Sequence, residues 1–223
     1  MLKRVLLLIA LLACATAAAA QTPNWTEGKN YFRIEPAQPT STPGKVEVVE
    51  VFSYACPACY RFKSVVDKLA ASLPANAQMV YVPAGFRPDE DWPVFQRAFY
   101  AAQALGVVDK THDAMYDAVW KDRSLATFDP ATNRPLKPGL DEIAKFYAKY
   151  GVKPEDFVAT ANSFAVNAKV KRADALIKAY GVEGTPTIVV NGKWRLDVNS
   201  AGGYNQVIDL VRWLVTRESG AQP

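Results

Sequence analysis

The chain has 223 residues, of which 50% are hydrophobic and 22% charged, with 12 Gly and 15 Pro. That is enough apolar material for one compact domain, or one domain with an insertion, and it excludes disordered, collagen-like and low-complexity classes. The formal charge of +4 includes Lys3 and Arg4; beyond residue 20, 24 basic side chains stand against 22 acidic ones, which is no basic field for nucleic acid.

Residues 1–20 read as an export leader: a positive start at Lys3-Arg4, an apolar run from Val5 to Ala13, and Ala18-Ala19-Ala20 before Gln21. The run is short for a membrane span. Cleavage after Ala20 and export are expected, with lipid anchoring through Cys14 as the alternative, because Leu11-Leu12-Ala13-Cys14 is similar to a lipobox. Residues 21–45, rich in Pro, are expected to form a loose arm with one edge strand near Tyr31–Ile34. Val46–Phe52 is β-branched and strand-like. Phe62, Val65, Val66, Leu69 and Leu73 recur at helical spacing, so residues 57–73 read as an amphipathic helix opened by Pro57. Gln78–Val82 is a second strand.

Between 87 and 170 helical periodicity takes over, in Val94–Leu105, Met115–Val119 and Leu140–Tyr150, with an irregular loop at 121–139. Gly151 reads as a helix end and Pro154-Glu155-Asp156 as a helix start. A further helix runs from Asn162 to Tyr180. Pro186–Leu196 reads as strand, Asn191-Gly192 turn and strand, and Tyr204–Leu214 as a last amphipathic helix. The order is strand–helix–strand, helical block, strand–strand–helix, an interrupted α/β domain.

Cys56-Pro57-Ala58-Cys59 carries the chemistry. It lies between a buried-type strand and a helix, which sets Cys56 at a helix N-terminus where free N–H groups favour a thiolate. Cys59, one turn on, can resolve a mixed disulfide. A zinc site would need ligands beyond the single His112, and a c-type haem would need His where Tyr60 stands. A purely structural disulfide is the remaining alternative, although a bridge across one turn constrains little chain. No metal or cofactor is expected. His112, with no nucleophile near it in sequence, reads as a satisfied surface or core histidine.

Glu50-Val-Phe-Ser-Tyr-Ala-Cys56-Pro-Ala-Cys59-Tyr60, with Gly181-Val-Glu-Gly-Thr185-Pro186 and Val190-Asn-Gly-Lys193, resembles the DsbA family of bacterial periplasmic thiol:disulfide oxidoreductases. Ala104-Leu-Gly106 and Asn162-Ser-Phe164 match that family's helical region, and the likeness covers about residues 46–217. It implies a thioredoxin fold interrupted by an inserted helical domain, with thioredoxin-like segments at 21–86 and 173–223 and the insertion at 87–172. It further implies that Cys56 is the exposed attacking thiol, that Cys59 resolves, and that Thr185-Pro186 is a cis-proline loop that pairs with substrate. Glu50 matches the family's acidic residue beneath the site; read alone, it could be an edge-strand carboxylate facing water.

Pro57, Ala58 and Glu50 would tune the redox chemistry. Ala58 departs from the family, which usually carries His there, so a milder oxidant is expected. Lys63 brings a positive charge one turn past Cys59, or is simply a solvated helix face. The implied partners are unfolded exported proteins with free thiols and a quinone-linked membrane oxidase of the DsbB type, with the chain acting as a monomer. A reductase or isomerase of the same fold, or a non-catalytic peptide-binding module, are the alternatives.

Overall fold

The computed structural model describes residues 24–132 and 134–220. The leader and Cys14 lie outside them. β1 (Phe32–Arg33), β2 (Val46–Phe52), β3 (Ala77–Pro83), β4 (Thr187–Val190) and β5 (Trp194–Asp197) form one sheet in the order β1-β5-β4-β2-β3. Only β2 and β3 are parallel; every other neighbouring pair is antiparallel.

β2 is flanked on both sides and all seven of its residues are buried, which explains its near-continuous valine run. Successive side chains of a strand face opposite ways, and the core divides accordingly. Val46 and Val48 join Ile188, Val190 and Leu196 against α1 (Pro57–Ser72) and, after the other helices, α8 (Tyr204–Glu218). Val49, Val51, Val82 and Val189 face the other way, toward Phe95, Phe99, Met115 and Ile177 of the helical block.

That block is α2 (Trp92–Ala104), α3 (Val108–Trp120), α4 (Leu140–Ala148), α5 (Pro154–Ala161) and α6 (Phe164–Ala179), all between β3 and β4 in the chain. α6 begins on Ser163, whose hydroxyl accepts the Val166 N–H. It runs unbroken across residues 172 and 173, where the sequence reading divided the insertion from the second thioredoxin-like segment. α7 (Val198–Ala201), a four-residue turn capped by Asp197, was not anticipated; it is too short to show a period.

α1 spans the expected residues because Pro57 fits its first turn and Phe62, Val65, Val66 and Leu69 share its buried face. It stops at Leu73, whose ψ of 140° is what a residue before proline adopts. The Asn191-Gly192 turn closes β4 onto β5 with φ of 53° and 65°, and the Lys193 N–H donates to the Val190 carbonyl at 3.0 Å. Gly192 has a second reason to lack a side chain, since a Cβ there would collide with the Gln38 carbonyl.

The segment before β2 is not loose. Tyr31 and Ile34 are each 4% exposed, and β1 pairs with β5. The Ile34 and Gln38 N–H groups donate to the Lys193 and Gly192 carbonyls at 2.7 and 2.9 Å. Proline content marked this stretch as irregular, but its apolar residues and unpaired amides find the β5 edge.

Candidate active site

The chain leaves β2 through a tight turn in which the Cys56 N–H donates to the Ser53 carbonyl at 3.1 Å and the Ala55 N–H to the Ser53 hydroxyl at 3.2 Å. Cys56 is the N-cap of α1, with extended backbone (φ −90°, ψ 116°), so its sulfur sits where the first-turn N–H groups converge. Both cysteines are free thiols.

Four influences set the Cys56 thiol. A hydrogen bond from the Cys59 thiol is the largest and lowers its pKa, and burial works against it. The otherwise unpartnered Thr185 hydroxyl and the backbone N–H groups of Cys59 and Ala58 lower it further, to about 6. Cys59 goes the other way: burial and the neighbouring Cys56 push its thiol up. The pair is therefore asymmetric, with Cys56 the thiolate and Cys59 the proton holder at neutral pH.

Cys56 is covered more than the resemblance implies. Its exposure is only 6%, against 0% for Cys59. The cause is the 184–187 loop, which lies over it: the Thr185-Pro186 bond is cis, as expected, and the Thr185 carbonyl is 3.4 Å from the Cys56 sulfur. Alongside, Ala58, Thr185, Pro186, Arg195, Asp197 and Tyr204 line a cavity of about 390 Å³.

Glu50 is no edge carboxylate. It lies in the central strand, opposite Tyr81 and Ile188, and is 2% exposed. Burial, with the negative charges of Asp67 and Cys56, raises its pKa to about 8, so it holds its proton at neutral pH. Lys63 is neither free nor a simple solvated face: it is ion-paired with Asp113 of α3 at 2.8 Å.

Sequence reasoning missed the groups that fix the turn before Cys56. The Tyr54 hydroxyl meets His112 Nδ1 at 2.8 Å, and Trp120 Nε1 donates to the Tyr54 carbonyl at 2.8 Å. His112 sits among Phe52, Tyr54, Tyr81 and Tyr116, with ring centroids 4.7–5.4 Å away. Burial lowers its pKa to about 4, so it is a neutral, partly buried histidine packed among these rings. Tyr54, two residues before Cys56, was the one signal available.

A cysteine pair at a helix start, covered by a cis-proline loop on a sheet with a helical block between β3 and β4, defines a thioredoxin-type redox site. The chain belongs to the DSBA-like thioredoxin domain family, whose model matches residues 47–208. It is a thiol:disulfide oxidoreductase. Over 221 residues it is 38% identical to the thiol:disulfide interchange protein DsbA of Pseudomonas aeruginosa, covering 98% of each chain. A crystal structure of a variant of Pseudomonas aeruginosa DsbA superposes with TM-score 0.78 at 36% identity, over 89% of this chain and 100% of that one. The oxidoreductase DsbA of Xylella fastidiosa gives 0.77 at 35% identity, over 87% and 97%.

Proposed function

We propose that this protein donates a Cys56–Cys59 disulfide to newly exported polypeptides in the periplasm. In the first step a substrate thiolate attacks the Cys56 sulfur. The Cys56–Cys59 bond breaks, a mixed disulfide forms on Cys56, and Cys59 leaves and takes up a proton. In the second step another substrate thiolate attacks its own partner sulfur in the mixed disulfide and expels Cys56 as a thiolate. Two substrate thiols become one disulfide, and the protein gains two electrons as a dithiol.

The observation that carries this reading is the placement of the two thiols: Cys56 at the start of α1 under the cis Thr185-Pro186 loop and Cys59 fully buried behind it, which lowers the pKa of the first and raises that of the second. A stabilised Cys56 thiolate is a good leaving group and favours the reduced state, which drives the disulfide toward substrates. Pro57 and Ala58 supply the helix start, and Thr185 and Pro186 supply the edge along which an extended substrate pairs. Glu50 lies close enough to both sulfurs for their charges to act on one another, and its retained proton keeps a second negative charge away from Cys56. Reoxidation falls to a quinone-linked membrane oxidase of the DsbB type, and the protein works as a monomer.

The test is turnover of a reduced, cysteine-containing protein with catalytic amounts of this chain and a terminal oxidant. Disulfide formation should require Cys56. Cys59→Ser, given the oxidised substrate, should form a Cys56 mixed disulfide by the reverse of the second step and hold it for want of the Cys59 thiol, visible by mass. Undiminished turnover by Cys56→Ser would overturn the assignment.

A further inference from the structure

Ala55 and Pro57, the chain neighbours of Cys56, form part of a second cavity of about 400 Å³ that shares no residue with the one along Pro186. Its other walls come from the helical block: Trp120 at the end of α3, and Phe128, Pro135 and Leu136 of the 121–139 loop. The Trp120 and Phe128 rings lie 6.1 Å apart, and Leu136 is 43% exposed, a large apolar side chain left open beside the redox site.

One group in this cavity is anomalous. Asp91 is only 5% exposed and its Oδ2 has no hydrogen-bond partner among the described residues. It occupies the N-cap position of α2, where an aspartate ordinarily accepts from the first-turn N–H groups, yet its side chain caps nothing. The other charged groups nearby are engaged. Glu90 is ion-paired with Arg87 at 3.1 Å. The Lys137 ammonium donates to the Asp89 carbonyl. Arg123 donates to the Phe128 carbonyl at 2.9 Å and lies 4.6 Å from the centre of its ring. Among the described residues the Asp91 Oδ2 is left without a donor; the Lys137 charge acts on this carboxylate without forming an ion pair with it.

We propose that this cavity is a substrate subsite that takes a lysine or arginine side chain adjacent to the reactive cysteine. The alkyl stem lies against Trp120, Phe128 and Leu136, and the cationic head meets Asp91. Apolar walls suit the stem of such a side chain, aromatic faces suit its charge, and a buried carboxylate lacking a donor is satisfied best by a charged one. The inference deepens the function proposed above and rests on Cys56 being the attacked sulfur, since only then does the subsite lie next to the substrate cysteine.

The test uses short peptides in which Ser replaces the reactive cysteine and the neighbouring residue is Lys, norleucine or Glu. Their affinities for the oxidised protein are measured by calorimetry. The Lys peptide should bind about tenfold tighter than the Glu peptide, the ratio that one charged hydrogen bond supplies. Asp91→Asn should bring the two within about twofold. Leu136→Ser, at an exposed position that carries no folding burden, should weaken the Lys and norleucine peptides alike by severalfold. A full preference for Lys in folded Asp91→Asn, or unchanged binding in Leu136→Ser, overturns the subsite. These peptides exchange no thiol, so failure of the protein to oxidise dithiothreitol would count against the Cys56 chemistry and leave the binding result to stand or fall by itself.

Discussion

The Tyr54 hydroxyl and His112 Nδ1 meet at 2.8 Å across 58 residues of chain, joining the turn that presents Cys56 to the third helix. The contact is surrounded by aromatic rings, and the Tyr54 side chain is buried, so its hydroxyl relies on this partner. Tyr54→Phe leaves the imidazole nitrogen unpaired and should destabilise the protein by about 1–3 kcal/mol. For a chain of this size that lowers Tm by roughly 2–4 °C per kcal/mol. Calorimetry of the two proteins checks it.

The same histidine makes stability fall in mild acid. Its folded pKa of about 4 lies below the ordinary 6.5, so between those values the unfolded chain binds the extra proton. Stability therefore declines as pH falls from about 6.5 toward 4. In His112→Gln, urea titrations across that range should show a flatter pH dependence, whatever the variant's absolute stability.

Glu50 acts with the opposite sign. Its folded pKa near 8 exceeds the ordinary 4.5, so the folded protein binds more protons and loses stability as pH rises between the two. Glu50→Gln removes that penalty. Its stability relative to the parent should improve steadily from pH 5 to pH 8, and a constant difference over that range would contradict the buried, protonated assignment.

Cys56 should react with iodoacetamide along a titration curve centred near pH 6, while Cys59 stays unlabelled. Because the folded pKa of Cys56 is depressed, its contribution to the reduced form is fully present above about pH 9 and is lost as pH falls through 6. The stability of the reduced protein relative to the oxidised one should increase as pH rises from about 6 to 9, measured by denaturant unfolding of each.

Ala58 lines the cavity beside Pro186, so an imidazole can be accommodated there. Ala58→His places a donor near the Cys56 sulfur. It should lower the Cys56 pKa below 6 and raise the reduction potential, by about 30 mV for each 1.4 kcal/mol of added thiolate stabilisation. Glutathione equilibration reads the second quantity directly.

What could be read from the sequence was whatever leaves a local trace. Asn191-Gly192 specifies its hairpin through two positive φ angles, and the valines of β2 report burial on both faces. Thr185-Pro186 was legible only through its neighbours and the family likeness. Side-chain partners far away in the chain were not: Lys63 on Asp113, Trp120 on the Tyr54 carbonyl, and the low exposure of Cys56 all depend on what folds back over α1. Asp91 was invisible for a different reason. An aspartate before a helix looks like an ordinary cap, and only the geometry reveals that it caps nothing.

The Cys56 sulfur and the Thr185 carbonyl that covers it are 129 residues apart. A chain emerging N-terminus first thus delivers both cysteines, α1 and β3 long before the loop that completes their environment. Until residues 185–190 arrive, β2 lacks its β4 neighbour and the cysteines lack the Thr185 hydroxyl. A product stalled before residue 185 would carry the whole cysteine motif and the helix start that favours the Cys56 thiolate, yet lack the Thr185 hydroxyl and the loop that covers the pair. The fully tuned and covered thiolate therefore waits for a loop far along the chain from the cysteines themselves.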